Sequence, residues 1–348
     1  MTERWPGSAG CSEPETNVSV ARAITSRAAL GRLAPFPSAY AVPAAIVALG
    51  ALVAWASAAH PAAMPVWLPY DFSWFAWLGT WLGVWWYFRG VFLLPAAARP
   101  PRWRRVSFLL GMLVIYAVLQ TRYLYLAEHE FFLNRIQHVA MHHLGPFLVA
   151  LGIAGAPLRR GMPPPLVRVI ESRIVRRLLA PIQQPFVASV LFVGLFAFWL
   201  VPAIHFVAMI SNRLFWIMNW TMVLDGLLFW CLVLDPRPRP PARAGYGTRA
   251  AMAVGVIFPQ IAIGARIVFA TRDLYPYYSV CGRFFPSISP LYDQLAGGMV
   301  VWIPPAMMSA IALVLVVNHL RLHDEAAPPP TDPRAARIAA MAANWTGR

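Results

Sequence analysis

Three histidines fall within the seven residues 137–143, "QHVAMHH", in a chain that is otherwise mostly apolar. Imidazole ligates Zn, Cu, Fe and Ni, and thioether sulfur selects Cu(I). On an α-helix His138 and His142 are four residues apart and share one face, which Met141 joins at three residues from His138. His143 points about 100° away from its neighbour, and the two facing imidazoles differ in depth by only about 6 Å. His205, on the next apolar stretch, can reach the same level. His138 and His142 are thus the first candidate metal ligands, and His143, His205 and Met141 the second. The plainer reading is packing, since methionine fills apolar cores and a histidine can simply hydrogen-bond within a bundle. Against it, an ionisable side chain in a membrane span is costly and marks function by default.

The elements that must position these side chains are membrane helices. Of 348 residues 59% are hydrophobic and 12% charged, with a mean hydropathy of +0.56, whereas a soluble domain is about 25% charged. Runs of about 20 apolar residues, enough to cross a hydrocarbon core, recur along the chain. The expected fold is an all-α polytopic membrane bundle with eight spans, near 40–59, 72–94, 106–126, 134–154, 186–208, 214–234, 250–271 and 293–318. Residues 1–38 read as a disordered arm, 39–318 as the bundle and 319–348 as a polar tail. The first span also resembles a signal peptide ending at "AWASAAH", which would leave seven spans; the long 38-residue leader favours retention.

The net charge is +15, carried by arginine alone. The arginines concentrate in alternate loops, such as "RPPRWRR" and "DPRPRPPAR", so they orient the chain rather than bind nucleic acid. By the positive-inside rule both termini face the cytoplasm, and His138, His142, His143 and His205 lie in the outer half. Residues 166–179 mix apolar residues with arginine at helical spacing and should form an amphipathic surface helix. In the sixth span, Asp225 requires a partner, for which Arg266 is the candidate. Arg89 should snorkel to a span end. Trp67, Trp74, Trp77 and Trp103 fit interfacial belts. Gly297–Gly298 and Pro304–Pro305 suggest close packing and a kink in the last span.

Other chemistries are excluded by spacing. A di-iron oxygenase needs several histidine boxes, and there is one. The zinc-protease motif H-E-x-x-H fails because position 133 is Leu133. Cys11, Cys231 and Cys281 form no C-x-x-C, and no disulfide is expected. No nucleophile or acid–base pair stands out, so the chain is not read as an enzyme. A haem held between His138 or His142 and His205 remains a further reading.

Four stretches, taken in order, resemble the multi-span CtaG family of cytochrome c oxidase assembly factors. They are "RIQHVAMHHLGPFLVALGIAGAP", "FWLVPAIH" (198–205), "MNWTMVLDGLLFW" (218–230) and "LYPYY…LYDQLAGGMVVWIPP" (274–305). Of the family's histidines only His138 carries over; Asn134, Leu200 and Asn219 stand where the family has others, and His142, His143 and His205 are additional. The resemblance implies a multi-pass protein of the bacterial inner membrane. It would bind or present copper on the outer face while a haem–copper oxidase matures, with oxidase subunits and periplasmic copper chaperones as partners. A scaffold that binds oxidase subunits without metal is the alternative.

Overall fold

The computed structural model describes residues 37–65 and 72–326, with residue 341 alone beyond them. Residues 1–36 of the expected arm, all of the tail past residue 326 except residue 341, and Trp67 lie outside the described residues. Those residues form an all-α structure without strands. The helices are α1 (Pro37–Ala59), α2 (Trp74–Leu93), α3 (Arg102–Gln120), α4 (Tyr123–His129), α5 (Phe131–Val139), α6 (Gly145–Leu151), α7 (Gly155–Gly161) and α8 (Pro164–Ile170). They continue with α9 (Arg173–Ile182), α10 (Pro185–Trp199), α11 (Pro202–Ile210), α12 (Asn212–Val233), α13 (Tyr246–Gly255), α14 (Ile257–Val268), α15 (Tyr277–Cys281) and α16 (Pro290–Ala326).

Among the described residues five helical segments are long and apolar enough to cross a membrane, or seven if two bent pairs each count as one span. The expected span outside this set is the second, at 72–94, which forms the 20-residue, tryptophan-rich α2; tryptophan favours the interface over the hydrocarbon core. Trp74 and Trp103 are exposed and Trp77 is half-buried.

Several expected elements are interrupted, each for a local reason. The span at 186–208 divides into α10 and α11 because Pro202 lacks an N–H and pushes Val201 into extended backbone. The surface helix at 166–179 is two helices, α8 and α9, restarted at Ser172, whose hydroxyl caps the Val175 N–H at 3.3 Å. The last span passes through Pro304–Pro305 within α16 and continues past residue 318, through His319 and His323, to Ala326. The fourth span starts early, at Phe131, and turns by 82° into α7. There Gly90 and Gly161 bring the α2 and α7 backbones so close that a Cβ at either would collide with a carbonyl oxygen. Arg89 does not simply reach outward; it donates to the Gly161 carbonyl and closes that end of α7.

Glycines also set the packing around α5 and α6. A Cβ at Gly297 would collide with the Phe131 ring, and one at Gly298 would lie 2.7 Å from Val268 Cγ2. The glycine pair therefore seats α16 against α5 on one side and α14 on the other, as small residues do between membrane helices.

Candidate metal centre

Between α5 and α6 the chain widens into a π-helical turn, Ala140–Leu144, closed by the Gly145 N–H donating to the Ala140 carbonyl. This turn is "AMHHL". Its cause lies four residues past His142, where Pro146 can offer no N–H to the His142 carbonyl and its ring would clash with that oxygen. On α12, Gly226 is bare where a Cβ would strike the same carbonyl oxygen. Pro146 and Gly226 together let the widened turn lie flat against α12.

The π turn corrects the expected divergence of His142 and His143. Both rings lie against Phe192, at centroid distances of 4.2 Å and 4.9 Å, and 4.8 Å from one another. Eleven residues separate Phe131 from His142, about 16 Å of helix, so the pair sits near the middle of the span that begins at Phe131. At that level His142 Nε2 meets Asp225 Oδ2 at 3.1 Å. Asp225 is therefore the partner of His142, not of Arg266, which is exposed.

His205 lies toward the Arg-poor end. Its Nε2 is 2.9 Å from the Tyr278 hydroxyl, and its ring is edge-on to Phe131 and Tyr275. His138 stands between the two groups, within electrostatic range of Arg135, His205 and His142. All four histidines are fully buried. Met141 is buried in the same apolar cluster as Met209, Met218 and Met222. The structure thus arranges one seam, with His205 toward the Arg-poor end, His138 in the middle, and His142 and His143 at the other end.

The seam's hydrogen bonding is incomplete. Both ring nitrogens of His138 and of His143, and Nδ1 of His142, have no partner. Buried polar groups are normally satisfied, and each exception requires a reason. These five nitrogens fit a metal in donor type. Moreover, Asp225 and Tyr278 hold the far nitrogens of His142 and His205, as outer partners hold metal-ligating imidazoles. Copper bound here would be held by His138 and His142 first, with thioether sulfur nearby. Even so, no three His, Cys, Asp or Glu side chains gather into a ligand set among the described residues.

Sequence reasoning did not find Arg135, which is fully buried beside His138, with its guanidinium 4.9 Å over the Phe131 ring and Nε and Nη1 unpartnered. A lone arginine inside a span was signal enough. Asn134 and Asn219, noted only as departures from a family pattern, are also fully buried in the seam's surroundings, Asn134 donating to Met209 Sδ at 3.8 Å.

A second buried polar cluster closes the Arg-poor end. Asp293 accepts from the Phe131 and Phe132 N–H groups at 2.9 Å and 2.7 Å, capping α5. Arg283 bridges Asp293 at 2.6 Å and Glu130 at 3.1 Å, and Glu130 also takes the Phe285 N–H at 2.8 Å. Burial pushes the Glu130 carboxyl above its ordinary pKa, with Asp293 adding to the shift and the Phe285 N–H and Arg283 opposing it.

The stretch "LYPYY…LYDQLAGG" is the frame for both clusters. Tyr275 donates to the Leu200 carbonyl at 2.9 Å, Tyr278 holds His205, and Gln294 accepts the Leu274 N–H at 2.7 Å. A sequence model of one family, described as Cytochrome c oxidase caa3 assembly factor (Caa3_CtaG), matches residues 85–321. The chain belongs to this family. No curated protein and no solved structure matches it. The matched region takes in the whole seam, the capping cluster and the α2–α7 contact. A family of oxidase assembly factors acts on an oxidase and, with these apolar helices, in a membrane.

Proposed function

We propose that this assembly factor holds copper in the histidine seam and presents it while a haem–copper oxidase subunit acquires its copper centre. The observation that carries the reading is the set of five unpartnered imidazole nitrogens on His138, His142 and His143 in one buried seam. Bound copper would supply the missing coordination, with His142 fixed by Asp225 and His205 by Tyr278. The role is delivery rather than catalysis. With the Arg-rich loops at the cytoplasm, the His205 end lies toward the outer face of a bacterial inner membrane, the side from which copper chaperones would load it.

A scaffold that binds oxidase subunits without metal is the second reading, favoured by the failure of three ligands to gather among the described residues. Cells lacking the native gene, complemented with wild-type chain or with His138→Ala/His142→Ala, separate the two. The copper reading expects the variant to accumulate in the membrane while the oxidase lacks copper by optical spectrum and metal content. An oxidase with full copper beside the variant would favour the scaffold.

A further inference from the structure

A groove of about 970 Å³ lies at the Arg-rich end between α10 and the α13–α14 segment, outside the histidine seam. Its mouth carries Arg239, Arg243, Gln184 and Thr248, and its depth is lined by residues such as Val193 and Pro259. The wall along α10 runs from Gln184 to Gly194, ten residues or about 15 Å, which is half the thickness of a hydrocarbon core. The groove therefore spans one leaflet, polar at headgroup depth and apolar below.

The charges at its mouth are uncommitted. Arg237 pairs with Asp235 through two contacts of 2.9 Å and 2.8 Å, and Arg249 donates to the Asp235 and Arg237 carbonyls. Those bonds pin the loop that carries Arg239 and Arg243. Neither of these two has an acidic partner among the described residues, and both are exposed. Along the groove, Gly194 and Gly255 have open space where a Cβ would be. Phe186 and Val190, on the α10 wall, are 72% and 52% exposed.

We propose that this groove binds one anionic phospholipid, its phosphate on Arg239 and Arg243 and an acyl chain along the wall past Gly194. Arginine favours phosphate because its planar fork matches the phosphate oxygens, and basic pockets between membrane helices take anionic headgroups. The length and polarity gradient suit a lipid rather than a free anion, which would leave the apolar depth unfilled.

The test uses the full chain, incubated with vesicles of equal phosphatidylglycerol and phosphatidylcholine, re-extracted in mild detergent and examined by native mass spectrometry. Wild type should retain about one phosphatidylglycerol, several-fold over phosphatidylcholine. Arg239→Gln/Arg243→Gln should lose that preference. Gly194→Leu, placed in open space, should lower retention of both lipids, and Gly255→Leu repeats this steric arm should the first variant unfold. Thermal midpoints identify the folded variants. No preference in wild type, unchanged retention in the arginine variant, or unchanged retention in a folded glycine variant would overturn the proposal; so would a co-purifying polypeptide in place of lipid.

Discussion

The two buried polar clusters of this bundle are opposites. In the cluster of Glu130, Arg283 and Asp293 every carboxylate oxygen accepts a hydrogen bond, with Arg283 Nε the single nitrogen left over. In the histidine seam five ring nitrogens are left without partners. The first cluster is finished by the protein itself and closes the end of α5. The second is finished only in part, with Asp225 on His142 and Tyr278 on His205. Satisfied polar clusters build structure; a cluster left open at this burial points to something that binds.

The largest effect should come from the finished cluster. Asp293→Ala leaves two helix N–H groups without their acceptors and takes from Arg283 one of its two carboxylates, and loss of one partner of a buried ion pair costs about 3–5 kcal/mol. The expected result is little monodisperse protein and a sharply lowered thermal midpoint. His138→Ala loses no hydrogen bond, and removing two unpartnered buried nitrogens offsets part of a cavity cost of about 2–5 kcal/mol, so its loss without metal should be the smaller. Equal losses for the two variants would erase the contrast.

Next in size is the outer partner of the seam. Asp225→Asn should weaken copper binding about 10- to 100-fold, as loss of such partners does, read by competition with a copper chelator. Arg266→Gln, exposed and unrelated to Asp225, should change stability by no more than about 0.5 kcal/mol. Arg266→Gln matching Asp225→Asn in its effect on copper would restore the pairing the structure replaces.

Gly226→Val tests whether the π turn is held in place by α12. Overpacking there should cost about 1–3 kcal/mol and should also lower copper affinity, since the collision is with the His142 carbonyl. Unchanged affinity in the folded variant would separate the turn from the site.

The smallest effect concerns pH. A carboxyl whose pKa is raised on folding binds its proton more tightly in the folded state. Its contribution therefore falls as pH rises from the unfolded pKa, about 4.3, through the folded one. Glu130→Gln should flatten this part of the thermal-midpoint profile on the acid side of neutrality. A profile identical to wild type would remove Glu130 as its source.

Much of this was legible in the sequence. Apolar runs and arginine loops gave the helices, because bilayer thickness and backbone satisfaction leave few alternatives. His138, His142, His143 and His205 were legible as candidates because they are costly in a span. Their grouping was not. A straight helix separates His142 from His143, and the structure joins them because Pro146 and Gly226, distant in sequence, both act on one carbonyl. Asp225 found His142 rather than Arg266 through the same turn. The capping role of Asp293 was equally hidden, since it depends on a contact across 161 residues. Local pattern reads the elements; the polar partners come from tertiary contacts that no local pattern contains.

The central claim is tested most directly by copper content. Full-length chain would be purified in detergent, loaded with copper, desalted and measured by mass spectrometry beside His138→Ala/His142→Ala. The account predicts near-stoichiometric copper in the wild type and its loss in a variant that still elutes as folded protein. No copper in the wild type, or equal copper in both, would contradict it.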